Sequence, residues 1–441
     1  MMAKKVTPFS SLSEIVLSDL AAGHCVSITG LSNSGKSNLM RSLADQNIKK
    51  FYRSEDRRPG FHIYIDCNRA VAISAQAFYE VVLRSTLERL SDEVHDAQLS
   101  NLRGYHQTIT EADTSFAASL SFNLALSELC KELDQNLCLL FDEFDEIYTA
   151  LDNRALLNLR ALRDRFRDRL VYATATRRSL PELRGDAIED EFAELFSRFT
   201  YNMPLLNSAE SHALIAGLDL SDLKKVFKEK ASELAGGHPG MLVAVSQALA
   251  HLPKDWEGDP AAYVRLEPQP RAECMKLWHQ LNGEERAGLS SLVLEPKAGL
   301  PRQQIRHLDS MGMLVANQPF SPIFADFIGR KSRGHDVEVQ GVYLDTDSGD
   351  VWVDGVRIPV LTDLEYRLLD LLYERRDKLT DKFQIVTAVW GEEYLGSVDD
   401  ARVEKLISRL RGKIEPNPAN PIYLITRRGR GYKLLTTPKS T

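Results

Sequence analysis

Eight consecutive residues, Gly30-Leu31-Ser32-Asn33-Ser34-Gly35-Lys36-Ser37, fit the pattern G-x-x-x-x-G-K-[ST] at every fixed position. Residues of these types at this spacing cradle a polyphosphate. Gly30 and Gly35 permit a tight backbone path, so that the N–H groups of Ser32, Asn33 and Ser34 and a helix N-terminus reaching Asn38 converge on the anion. Lys36 reaches the outer phosphates and the Ser37 hydroxyl ligates Mg²⁺. About a hundred residues downstream, the apolar run Leu137-Cys138-Leu139-Leu140-Phe141 ends in Asp142-Glu143. There Asp142 would hold Mg²⁺ through water, and Glu143 would orient or activate the attacking water. A buried strand with a merely solvated acidic end is the plainer alternative, but the order of loop, strand and carboxylate pair disfavours it. A further apolar run, Leu170 to Ala175, leads to Thr176 and Arg177, either of which would report the terminal phosphate of ATP or simply end a strand.

A second chemistry lies at the other end. From Ala401 to Lys433 nine Arg or Lys stand against two Glu, in a chain whose net charge is −7. That local excess is the footprint of a phosphate-contacting face on an acidic protein. In a helix expected from Asp399 to Ile414, Val403, Leu406, Ile407, Leu410 and Ile414 share the spacing of a core face. Arg402, Lys405, Ser408, Arg409 and Arg411 then occupy faces open to a major groove and its flanking phosphates of double-stranded DNA, with Arg409 first for base contact. The Gly429–Gly431 turn makes a tight wing whose Arg428 enters a minor groove, while Trp390, Arg411, Thr426 and Tyr432 position the backbone. A solvated basic helix serving protein contacts alone is the competing interpretation.

These groups need elements to hold them. A chain of 441 residues with 43% hydrophobic content has room for about three domains with sizeable cores. The apolar runs His24–Thr29, Phe61–Asp66, Leu137–Phe141 and Arg169–Thr176 alternate with helical patterns at Ser74–Leu90 and Ser115–Leu133. That alternation predicts a parallel sheet with helices on both faces over residues 1–204. Short amphipathic helices around Gly236-Gly237-His238-Pro239-Gly240 suggest a helical lid over 205–258, and residues 265–332, with two or three helices and then Gly312-Met313-Leu314-Val315-Ala316, suggest a small winged-helix unit. Residues 338–437 open with strand-like alternation at Val342–Leu344 and Val351–Val353, then run through three helices to a terminal hairpin. No apolar run reaches membrane-spanning length and the first ten residues lack a signal-peptide core. Cys25, Cys67, Cys130, Cys138 and Cys274 form no C-x-x-C pair; Cys25, Cys67 and Cys138 lie in or beside apolar strand-like runs, where buried reduced thiols are expected, and a cytoplasmic location follows.

Residues about 8–330 resemble the AAA+/STAND superclass of P-loop ATPases, near its origin-recognition-like and NACHT/NB-ARC-like branches. The resemblance implies ATP and Mg²⁺ as cofactors and an α/β P-loop NTPase core followed by a helical lid and a winged helix. It also implies that His238 and Pro239, in a G-x-P element, line the adenine side of the nucleotide. Arg198 sits where related ATPases carry an arginine aimed at a neighbouring subunit's nucleotide; a structural salt bridge is the alternative. No repeat array of the kind STAND proteins use as a sensor is present. Residues about 340–436 resemble the winged-helix domain of OmpR/PhoB-type response regulators, through Leu361-Thr362-Asp363-Leu364-Glu365-Tyr366, Val389-Trp390-Gly391, Ile407-Ser408-Arg409-Leu410-Arg411 and Thr426-Arg427-Arg428-Gly429-Arg430-Gly431-Tyr432. The family often has a basic residue where this chain has Ala401.

Together these imply an ATP-binding and slowly hydrolysing switch that controls DNA binding, as in a bacterial transcription regulator or a regulatory component of a defence system. Self-association in the ATP state and a protein partner supplying the trigger are compatible partners. A DNA-acting initiator or transposition-type ATPase, and an interaction protein whose winged helices grip another protein, remain open.

Overall fold

A computed structural model of the chain describes residues 8–45, 60–91, 96–167, 169–185, 190–218, 220, 225–253, 256–297, 299–333, 341–344, 351–354, 356–359, 361–391, 400–427 and 429–435. It divides into two compact units, Met1–Gly217 with Ile305–Asn317, and Leu218–Gln304 with Gln318–Thr441. The stretch read as one winged helix over 265–332 therefore contributes Ile305–Asn317 to the first unit.

The expected parallel sheet is present. Its strands are β1 (Val26–Thr29), β2 (Gly60–Asp66), β3 (Asn136–Asp142), β4 (Leu170–Thr176) and β5 (Thr200–Asn202). They run parallel in the order β2-β3-β4-β1-β5. β1 and β4 are buried at every residue, the condition of central strands covered on both faces. β5 has no apolar run and its ends are exposed, so nothing in its composition announced it.

Register fixes the site. Thr29 pairs with Thr176 and Asn202, and Asp66 with Asp142, so the ends of five strands lie along one edge. In open parallel sheets, ligands bind at that edge. The helices Ala75–Ser91 and Ser115–Glu132 fall where the periodicity placed them, and a helix at Asp96–Thr110 lies between them. Thr114 caps the Ser115 helix by accepting from Ala117 N–H at 3.3 Å, which sets where it starts.

In the second unit the helices Lys225–Ala235 and Pro239–Ala250 meet at Gly236, whose φ is +62°. A Cβ there would lie 1.8 Å from the Phe320 carbonyl oxygen, so only glycine fits this approach. Ser321 Oγ donates to Leu234 O at 2.6 Å across the same contact.

Beyond the short strands β6 (Leu314–Val315) and β7 (Gln318–Pro319), the C-terminal module has a three-stranded sheet of β8 (Val342–Leu344), β9 (Val351–Val353) and β10 (Val356–Arg357). The helices Asp363–Glu374, Lys382–Trp390 and Asp400–Ile414 follow, then the hairpin β11 (Leu424–Arg427) and β12 (Gly431–Leu434). Leu368, Leu369, Leu372, Ile385, Val386 and Leu410 form one core with the sheet. Thr362 with Glu365, and Asp381 with Gln384, close capping boxes at the first two helices. All five cysteines are buried and unpaired, and among the described residues no helix is long and apolar enough to cross a membrane.

Candidate nucleotide site and nucleic-acid interface

The loop after β1 folds as its residue types require. Gly35, with φ +93°, is the N-cap of the helix Lys36–Leu43, and a Cβ on it would lie 2.6 Å from the Phe9 ring. A Cβ on Gly30 would lie 2.7 Å from Ser34 Oγ and 2.9 Å from Met203 Cβ. Lys36 is 4% exposed and its Nζ donates to Gly30 O at 2.6 Å and Leu31 O at 3.2 Å. An ammonium has three donors, so these two bonds span the loop and leave the third for an anion inside it. Ser34 Oγ is buried with no hydrogen-bond partner among the described residues, an orphan that a ligand in the loop would satisfy. Ser32 and Asn33 are half-buried in the loop; on the helix that follows, Ser37 is half-buried and Asn38 exposed.

The carboxylates stand across from it. Asp142, 1% exposed, accepts from the Tyr64 hydroxyl at Oδ2 (2.7 Å) and from Glu143 N–H at Oδ1 (3.0 Å). Glu143 has φ +49°, a left-handed conformation that costs free energy in any residue with a Cβ. The bond from its N–H to Asp142 and that of Phe144 N–H to Ala175 O hold the turn. Burial pushes the Glu143 carboxyl up to about 7, with Lys36 opposing the rise and Asp142 and Asp145 adding to it. A carboxyl that exchanges a proton near neutrality is suited to general-base work. Burial, then Asp142, push the Tyr64 phenol far above its ordinary range, so it is a donor.

Beside these, Arg177 is tied to Asp145, by its N–H at 2.9 Å and its Nε at 3.4 Å, both to Oδ1. Thr176 is fully buried and its hydroxyl donates to Arg178 O at 2.6 Å, so it is spent on its own turn. Arg178, which the sequence did not single out, lines a cleft of about 210 Å³ with Gly30, Leu31, Arg177, His307 and Met311. Arg198 is exposed and makes no salt bridge among the described residues. In the second unit His238 is 3% exposed and caps the helix that Pro239 begins, its Nδ1 accepting from Met241 N–H at 3.2 Å.

Tyr64 and Asp66 were also missed. Tyr-x-Asp at the end of an alternating strand puts both side chains on one face, and that spacing was the available signal. The donor set fits Mg²⁺, a hard cation that takes few protein oxygens and completes its shell with phosphate and water. Ser37 and Asp142 would hold it. Among the described residues no group of three or more His, Cys, Asp or Glu stands ready to hold a metal without such help.

At the other end of the chain the helix Asp400–Ile414 buries Val403, Leu406, Ile407, Leu410 and Ile414, the face its periodicity assigned. Arg402, Lys405, Ser408 and Arg409 are exposed. Arg411 departs from expectation. Its guanidinium donates to Leu424 O at 3.0 and 2.6 Å and to Thr426 Oγ1 at 2.8 Å, so it is turned onto the hairpin rather than open to a groove. Two carbonyl bonds and partial burial outweigh solvation for a side chain within reach of a strand end. Thr426 is exposed but accepts this bond; Trp390 and Tyr432 are half-buried against the core. Arg428 lies outside the described residues. Glu415, 7% exposed, accepts the N–H groups of Ile422, Tyr423 and Leu424 and so sets the hairpin's start.

The first fold is that of a P-loop NTPase core, a five-stranded parallel sheet with the phosphate loop after β1; the C-terminal one is a winged helix. Residues 358–434 match the family described as "Transcriptional regulatory protein, C terminal". The sensory transduction protein RegX3 of Mycolicibacterium smegmatis is 38% identical over 98 residues, 22% of this chain and 42% of that protein. The transcriptional regulatory protein YrkP of Bacillus subtilis, itself uncharacterized, is 42% identical over 84 residues, 19% of this chain and 36% of its own length. The chain thus spans less than half the length of these relatives. Among solved structures, a Walker-type ATPase of Pyrococcus abyssi is 15% identical with a TM-score of 0.47, covering 74% of this chain and 99% of that one. The ORC1 protein of Aeropyrum pernix in complex with DNA is 12% identical with a TM-score of 0.40, covering 75% and 94%. Such distant likenesses say nothing of activity or partner.

Proposed function

We propose that this chain is an ATP-controlled DNA-binding regulator. The observation that carries the reading is the pairing, on one chain, of a spanned phosphate loop facing Asp142 and Glu143 with an exposed basic helix in a transcriptional-regulator domain. Bound Mg²⁺·ATP supplies the phosphoanhydride and its partly neutralised charge. Lys36 and the N–H groups of the loop hold the phosphates, and Ser37 and Asp142 offer oxygens to the cation. Glu143 accepts a proton from the attacking water, and Asp145 holds Arg177 at the strand end. Arg402, Lys405 and Arg409 meet duplex DNA, with the Arg411–Thr426 bond keeping the hairpin at a fixed angle to the helix. ATP occupancy sets DNA avidity, by self-association or by repositioning the basic face, and hydrolysis resets it.

DNA affinity measured with and without ATP tests this, alongside Lys36→Ala. ATP binding by the variant is expected to fall on the order of 100-fold, the scale of losing one partner of a charged hydrogen-bonded contact, and its DNA binding to stop responding to ATP. If neither nucleotide nor substitution changes DNA affinity or oligomeric state, the switch is absent. The exposure of Arg198 favours a second reading, a DNA-acting ATPase that assembles through its nucleotide sites. DNA-stimulated turnover that depends on Arg198 would select it.

A further inference from the structure

The two protein groups offered to the cation come from different elements, Ser37 from the helix Lys36–Leu43 and Asp142 from β3. Two residues with no part in the proposed reaction join them. Arg41 lies one helical turn beyond Ser37, on the same side of that helix. Its guanidinium carbon is 5.5 Å from the centroid of the Tyr64 ring, within cation–π range. Tyr64, on β2, donates its hydroxyl to Asp142 Oδ2 at 2.7 Å. The other oxygen of Asp142 accepts from Glu143 N–H.

Held from both sides, the carboxylate cannot rotate, yet each oxygen keeps acceptor capacity for a cation. Something must hold it there, because Asp66 is its direct register partner on β2 and brings a second carboxylate to the same strand end. A donor on Oδ2 opposes that repulsion. Packing alone does not ask for a hydroxyl at this place: Ile63 and Ile65 on either side are wholly buried, while the Tyr64 ring is only half-buried and ends on the carboxylate.

We infer that Tyr64 is a positioning residue for the divalent cation: it fixes the orientation of Asp142, and Arg41 stacked on its ring ties that orientation to the helix bearing Ser37. The inference rests on the nucleotide site proposed above.

Calorimetric titration of the full chain with ATP, at increasing Mg²⁺, tests it in Tyr64→Phe. That change removes the hydroxyl and leaves the ring for Arg41. ATP affinity without Mg²⁺ should stay at the wild-type value, while the Mg²⁺ concentration needed to tighten ATP rises on the order of 10-fold, the usual scale for losing a group that orients a metal ligand. Mn²⁺ titrated into the protein–ATP complex and followed by paramagnetic resonance should show the same displacement without reference to turnover. Arg41→Met, which leaves both partners of the hydrogen bond in place, should shift the midpoint in the same direction by less, and it carries the test should Tyr64→Phe lose its fold. A wild-type Mg²⁺ midpoint in both variants overturns the positioning role alone. A wild-type chain that takes up no ATP overturns the nucleotide site, and this inference with it.

Discussion

In the front unit Lys36, Asp142 and Asp145 are 4%, 1% and 4% exposed, and each is tied to a neighbour by a named hydrogen bond. On the helix Asp400–Ile414 of the rear unit, the side chains of Arg402, Lys405 and Arg409 are exposed. On the proposed function, the difference follows from what each region would do with charge. A reacting centre works through charges held still and out of water, where their interactions are strong and need no rearrangement. A DNA-reading face gains affinity by displacing counterions from phosphates, which favours long, solvated side chains. The rear unit also holds an exception: the half-buried Arg411 and the buried Glu415 spend their charge on holding the hairpin.

The sharpest way to break this contrast is at Glu143. Glu143→Gln keeps the shape of the side chain and removes its ability to take a proton. ATP hydrolysis should fall roughly 100- to 10,000-fold while calorimetric ATP affinity is retained; turnover left intact would mean that Glu143 is not the base. A second contrast is in acid. Burial holds His62 of β2 down to about 4, below its ordinary 6.5, with Leu43 O within 2.7 Å of Nδ1. The folded state therefore favours the neutral ring, and the unfolded state takes up the proton first as pH falls. The resulting stabilisation is full above pH 6.5 and is lost progressively down to about 4. Unfolding curves of wild type and His62→Gln should converge by about 3 kcal/mol over that interval; parallel curves would show that His62 contributes nothing. The smallest effects belong to the rear face. Arg409→Ala should weaken DNA binding by about 1–3 kcal/mol and relax sequence preference. Arg411→Ala should instead lower the melting temperature of the rear unit, since its bonds are internal. Equal losses of DNA affinity without destabilisation would erase the distinction between them.

Much of this was legible in the residues. Strong local patterns announced β1, β3 and β4, because parallel strands buried on both faces read as apolar runs, and β2, at the sheet edge, by its alternation. The loop after β1 and the carboxylates at the end of β3 lie where the sequence put them, because residues of fixed type at fixed spacing mark both places. The inward face of the Asp400–Ile414 helix was likewise written in its 3-and-4 periodicity. β5 was not, because a three-residue strand with exposed ends owes its place to pairing with β1 and not to its own composition.

Charge direction was what only the tertiary structure decided. Arg409 and Arg411 are equivalent in sequence, both arginines on one basic helix, and among the described residues Arg411 is the one turned onto a strand end. Tyr64 and Asp66 looked like ordinary strand residues until the β2–β3 register set them against Asp142. The order of residue types along the chain fixes what a local segment prefers. Which polar side chain finds a partner depends on distances closed by residues far apart in sequence, and no local pattern encodes those.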